Sequence, residues 1–268
     1  ASYYESIGLP VEAILARSDL YEKPGKNQHA FSTDLDREGD VRTLDNIRPD
    51  SYWMNTILHE LGHGVYSYYN DRTLPFAVRD AAHTFTTEAV ANYFGRLATN
   101  PAWMSYMGII TPDEAERISD EAFNAFRLQQ LVFSRWAQVM YRFEKAMYEN
   151  PDQDLNQLWW DIVQKYQMMK KPEGRNMPDW ATKIHIALYP CYYHNYLLGE
   201  LLASQFSEYI TGTVAKGNTP EDMKAMGEFF RTKVFMPGMR YEWNDMIEKA
   251  TGEKLTAKQY ASQVVDEK

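Results

Sequence analysis

The side chains best suited to doing chemistry together lie in one short run, His59-Glu60-Leu61-Gly62-His63. In a helix, residues i and i+4 project from one face, so both imidazoles reach a single cation. Neutral imidazole is a good zinc ligand, and catalytic zinc keeps three protein ligands and one open position. Glu60 sits one residue round from His59, where its carboxylate can take a proton from water without ligating the metal itself. Two histidines and a glutamate can also decorate a solvated helix face, so a third ligand decides between the two arrangements. Glu88 is the best candidate. It follows a turn at residues 70–75, in a second helical pattern that resumes at His83, and Val90, Tyr93 and Phe94 flank it. A carboxylate on a buried face needs a counter-charge, and zinc supplies one. In the competing arrangement Glu88 pairs with Arg79 or Arg96.

The elements that must hold these residues read as mainly α. Residues 53–68 carry the histidine run on a helical pattern. Apolar residues recur at helical spacing through 111–150, and Asn150-Pro151 ends that run. Further helices are expected over 155–169, 192–210, 219–234 and 240–250, the third of them opened by Thr219-Pro220-Glu221-Asp222 as a capped start. One segment differs. Residues 28–35 and 41–47 flank the turn-rich Asp36-Arg37-Glu38-Gly39 and predict a β-hairpin in an otherwise helical chain.

Composition narrows the function classes. The chain has 268 residues, 37 acidic against 28 basic side chains, and a formal charge of -9. That balance argues against wrapping nucleic acid or binding an anionic membrane surface. The single cysteine, Cys191, excludes an internal disulfide framework without fixing a compartment. Its apolar neighbours predict a buried thiol, a poor nucleophile. No uncharged apolar run reaches the length of a membrane span. The first residues, ASYYESIGLP, lack the basic and apolar regions of a signal peptide. The length suits one large domain, and residues 1–268 are expected to form a single catalytic unit.

The motif set resembles a known family. His59-Glu60-Leu61-Gly62-His63 followed by Glu88 is similar to the gluzincin zinc metallopeptidases, and most of all to the angiotensin-converting-enzyme family of dipeptidyl carboxypeptidases. Thimet-type oligopeptidases are the next relatives. Gln28-His29-Ala30-Phe31-Ser32 precedes the zinc motif where that family has a histidine and a short edge strand that grips the substrate backbone. Lys183-Ile184-His185, then Tyr192-Tyr193-His194-Asn195-Tyr196 and Gln205-Phe206, match its lysine–histidine pair and its two tyrosines. The likeness runs from about residue 21 to residue 264.

The resemblance implies a helical zincin-type catalytic half with a small hairpin near the active site. It implies Zn(2+) on His59, His63 and Glu88, with Glu60 as general base. His185 and Tyr196 would steady the oxyanion, His29 and Ala30 would hold the peptide backbone, and Lys183 with Tyr193 would capture a C-terminal carboxylate. Short peptides are the implied substrates, cut to release C-terminal dipeptides. An oligoendopeptidase of the thimet type, or a zinc-binding fragment or peptide-binding protein without activity, are the alternatives. Three departures stand out. Asn92 replaces an aspartate that orients a zinc histidine, and Asn195 (or His194) stands where a chloride-binding arginine belongs. One extra residue after His185 also leaves Tyr192 as another choice for the first tyrosine. Only 58 residues precede His59, so the chain is expected to be the C-terminal catalytic part of a longer protein, or one with a minimal front half.

Overall fold

Two side-chain caps set the helices that matter most. The Asp50 carboxylate accepts the Trp53 N–H at 2.8 Å and opens an 18-residue helix. His83 opens the next long helix, its ring accepting the Phe85 N–H while Thr86 Oγ1 accepts the His83 N–H. Both satisfy backbone donors that a helix start leaves bare. The structure, a computed structural model, describes residues 1–265.

In chain order, two short helices, α1 (Ser2–Ser6) and α2 (Glu12–Leu15), precede the hairpin strands β1 (Phe31–Asp34) and β2 (Val41–Leu44). Then come α3 (Ser51–Tyr68), α4 (Thr84–Gly95), α5 (Pro101–Tyr106) and the 38-residue α6 (Pro112–Glu149). The remainder is α7 (Leu155–Gln167), α8 (Ile184–Ala187), α9 (His194–Tyr209), α10 (Pro220–Phe229), α11 (Trp243–Thr251) and α12 (Lys258–Val264). The fold is mainly α, with one two-stranded sheet among the described residues. None of the helices described is long and apolar enough to cross a membrane.

The chain divides into two compact units. One holds Ala1–Phe123 and the chain from Gly199 onward, and the other holds Asn124–Leu198. The core of the first is aromatic: Tyr4, Tyr66, Phe85, Phe94, Phe206, Phe230 and Phe235 are all but inaccessible. Phe94 and Phe230 meet at 5.4 Å between ring centres, and Tyr66 meets Phe235 at 4.9 Å. The second unit gathers Val139, Met140, Phe143, Trp159 and Val163, with Phe143 edge-on to Trp159 at 5.1 Å.

The hairpin forms where expected but is shorter. Strand β1 starts at Phe31, so Ala30 precedes it. The reason is local: Asn27 Oδ1 accepts the His29 N–H, and Asn46 Nδ2 holds the Asn27 carbonyl, bending the chain before the ladder begins. β1 and β2 pair antiparallel, from Phe31 opposite Leu44 to Asp34 opposite Val41. Asp36 closes the turn by accepting the Glu38 and Asp40 N–H groups. Leu35 N–H bonds Asp40 C=O, so the alternation of an antiparallel ladder turns the backbone of Ser32 and Asp34 toward the outer edge of β1.

Candidate metal centre

His59 and His63 stand one turn apart on α3, and Glu88 comes from α4. The two helices can bring them together because Gly62 has no side chain: a Cβ there would lie 2.7 Å from Ala91 Cα on α4. A second close approach backs Glu88, since a Cβ on Gly199 would lie 2.8 Å from Glu88 Cβ. The result is a tight triangle. The Nε2 atoms of His59 and His63 are 3.2 Å apart, and each is 3.6 Å from Glu88 Oε2. Glu88 is 2% exposed. Arg79 forms an ion pair with Glu38, and Arg96 forms one with Glu200.

The electrostatics suit a cation. Burial pushes the His59 imidazole down to about 4, against a hydrogen bond with Asn92 that raises it. Burial also holds His63 well below its ordinary value, with His59 adding to the effect. Both rings are therefore neutral near pH 7, the form that binds metal. His59 hydrogen-bonds Asn92, and His63 Nδ1 lies 2.8 Å from Thr87 Oγ1. Both Nε2 atoms face the buried carboxylate, each 3.6 Å from Glu88 Oε2. Two neutral imidazoles and one carboxylate, with ligand atoms all within 4.8 Å of one another, make a donor set that fits zinc. Their separations of 3.2 and 3.6 Å already match the roughly 3.3 Å between neighbouring ligand atoms of a tetrahedral ion with bonds of about 2.0–2.1 Å.

Glu60 lies beside this triangle and is 7% exposed. Burial raises its carboxyl well above the usual range, helped by the charges of Asp45 and Glu88. Asp45 was not singled out by sequence. It is fully buried at the end of the hairpin, with Thr43 Oγ1 donating to its Oδ2 at 2.6 Å. Thr87 was missed as well. A threonine directly before Glu88 was the available signal.

His29 is exposed in the bend ahead of β1, and Ala30 is half-buried beside it. A polar cavity of about 240 Å³ lies in the same unit, lined by Ser32 and Asp34 of β1, Ser67 of α3, and Arg37, Arg72 and Arg79. Ser67 is one helical turn beyond His63 on the same face.

The other expected residues belong to the second unit and cluster there. His185 Nε2 and Tyr196 Oη are 3.0 Å apart. Trp136 Nε1–H donates to Tyr193 Oη at 2.8 Å, and Lys183 Nζ sits 5.5 Å from the centre of a Trp136 ring. Tyr192 packs edge-on against Tyr196. Burial lifts the Tyr193 phenol to about 12, partly offset by Trp136. Asn195 is buried. Cys191 corrects an expectation: it is exposed, in a left-handed turn (φ 57°), with its N–H bonded to the Glu144 carboxylate. That turn lifts the side chain out of the apolar neighbourhood its sequence suggested.

Known proteins similar to this chain point to its family. A protein of Caenorhabditis elegans named inactive angiotensin-converting enzyme-related protein is 32% identical over 203 residues, covering 68% of this chain and 21% of its own length. The angiotensin-converting enzyme of Rattus norvegicus is 22% identical over 267 residues, covering 93% of this chain and 20% of its own length. The chain thus spans about a fifth of these relatives. A solved structure reported as "BsuCP Crystal Structure" superposes with a TM-score of 0.73 over 98% of this chain and 56% of its own, at 22% identity, a likeness of fold. The sequence profile of the peptidase family M2, angiotensin-converting enzyme, matches residues 2–261. With nearly the whole described chain inside that profile, the protein belongs to the angiotensin-converting-enzyme family of peptidases.

Proposed function

We propose that the chain is the catalytic part of a zinc-dependent peptidase acting on short peptides. The observation that carries this reading is the convergence of His59, His63 and Glu88 beside the buried Glu60. Zinc held by the three ligands would lower the pKa of water and polarise the scissile carbonyl. Everything else falls to the chain's own groups. Glu60, made more basic by burial and by neighbouring carboxylates, takes the proton from the attacking water and delivers it to the departing amine. The outer edge of β1 offers backbone groups of Ser32 and Asp34 to an extended peptide, which adds to the hairpin as a strand; His29 and Ala30 continue that grip. The arginine-lined cavity one turn past His63 suits a polar or acidic side chain of that peptide.

The finer roles rest on the family resemblance. Tyr196 and His185, already hydrogen-bonded to each other, serve as the oxyanion-stabilising pair, a contact worth ~3 kcal/mol. Lys183 and Tyr193 receive a free C-terminal carboxylate, so C-terminal dipeptides are the expected products. Peptides with a free terminus should then be cut about a hundredfold faster than their amides. Equal rates would favour internal cleavage of the thimet type. One relative is named inactive, and the presence here of all three ligand side chains and of Glu60 supports activity instead. The test is Glu60→Gln. Turnover of a fluorogenic peptide should vanish while zinc content stays at the wild-type level, and substantial residual turnover would move the proton-transfer role elsewhere.

A further inference from the structure

We infer that Thr87 is a positioning residue for the metal centre: its hydroxyl accepts the His63 Nδ1–H and thereby aims the His63 Nε2 lone pair at the ion. This rests on the zinc reading above and adds a residue to it. A neutral imidazole carries one proton on one of two nitrogens, so it can offer Nε2 to a metal only with the proton on Nδ1. An acceptor at Nδ1 fixes that tautomer and the ring plane together. Thr87 Oγ1 is 2.8 Å from Nδ1, while Nε2 of the same ring lies 3.6 Å from Glu88 Oε2.

The fold makes Thr87 a stiff support. It precedes Glu88 on α4, so one stretch of helix supplies both a ligand and the partner of another ligand. Its branched side chain has few rotamers in a helix, and the Gly62–Ala91 approach fixes α4 against α3. His59 is served from the same helix by Asn92, so both imidazoles lean on uncharged partners from α4. A hydroxyl differs from a carboxylate in one useful way. It can turn and donate to Nδ1 when no ion is present, letting the Nε2–H face Glu88, and it accepts from Nδ1–H when an ion takes Nε2. Thr87 thus tolerates both forms of the ring and holds its plane in each.

The test uses the 268-residue chain and zinc alone. Affinity is measured by competition with a chromogenic chelator for the wild type, Thr87→Val and Thr87→Ser. Valine keeps the shape and removes the acceptor, and should weaken zinc binding by about 10-fold or more, with serine closer to wild type. In the zinc-loaded wild type, the His63 Nδ1–H should be protected from solvent exchange in a nitrogen-15 spectrum of the imidazoles, and that protection should be lost in Thr87→Val. Wild type that binds zinc with an unprotected His63 Nδ1–H, or a valine variant that binds as tightly, overturns the assignment alone. Wild type that takes up no zinc overturns it together with the metal reading.

Discussion

Replacing Gly62 by alanine sets two opposed effects against each other at the centre of the site. Alanine favours a helix interior by about 1 kcal/mol over glycine, so on an exposed stretch of α3 the change would stabilise. Here the added Cβ would sit 2.7 Å from Ala91 Cα, 3.1 Å from Ala91 N and 3.2 Å from Val90 O. Carbon atoms rest about 3.5–4.0 Å apart, so α3 and α4 must separate by about 1 Å at this crossing. The obstacle is backbone, with no flexible side chain to swing aside. Overpacking of this kind costs about 1–3 kcal/mol, so after the propensity gain the net change should be destabilising by up to about 2 kcal/mol. The larger effect falls on metal binding. Two of the proposed ligands ride on α3 and one on α4, and ligand distances tolerate only about 0.2 Å. Urea denaturation of the metal-free protein and zinc competition on the same preparation would measure both. A Gly62→Ala protein that is more stable and binds zinc unchanged would refute the helix-contact reasoning.

Three further outcomes are expected. Asn92→Asp should tighten zinc binding by about 10-fold, because a charged acceptor replaces the amide beside His59, and competition titration reads it directly. Arg96→Ala strands the largely buried Glu200 and removes a contact to Ser204 Oγ, so urea denaturation should show a loss of about 2–4 kcal/mol. Tyr66 and Tyr193 are pushed up to about 12, chiefly by burial. The folded chain keeps these phenolic protons when the unfolded chain has lost them near pH 10, so stability should fall as pH rises between about 10 and 12. Phenolate absorbance at 295 nm in step with unfolding supports this, and complete titration of all 19 tyrosines in a still folded protein contradicts it.

Much of the frame could be read from periodicity. The helix expected over 111–150 is α6, Pro112–Glu149, because its apolar spacing and the Asn150-Pro151 stop are both local signals. Asp36 through Gly39 announced the hairpin turn, with Arg37 and Gly39 both at positive φ. Helices α1, α2 and α5 went unread, being at most six residues long, too short for a period to show. Two π-helical turns extend α9 and α10: Ile210–Val214 runs past the end expected at residue 210, and Phe230–Phe235 closes the stretch where a single helix was expected over 219–234. The triangle of His59, His63 and Glu88 was legible because i,i+4 spacing and a flanking apolar face are written along the chain. Thr87 and Asp45 were not, since their importance comes from contacts between α4 and α3 and from burial at the hairpin's end, neither of which one-dimensional spacing encodes.

Zinc stoichiometry tests the central claim most directly. Protein purified without chelator and exchanged against excess zinc should hold one zinc per chain by elemental analysis. Glu88→Gln should lose it or bind far more weakly while keeping the helical circular dichroism of the wild type. A wild-type chain without zinc, or a Glu88→Gln chain that retains it at full affinity, would contradict the account.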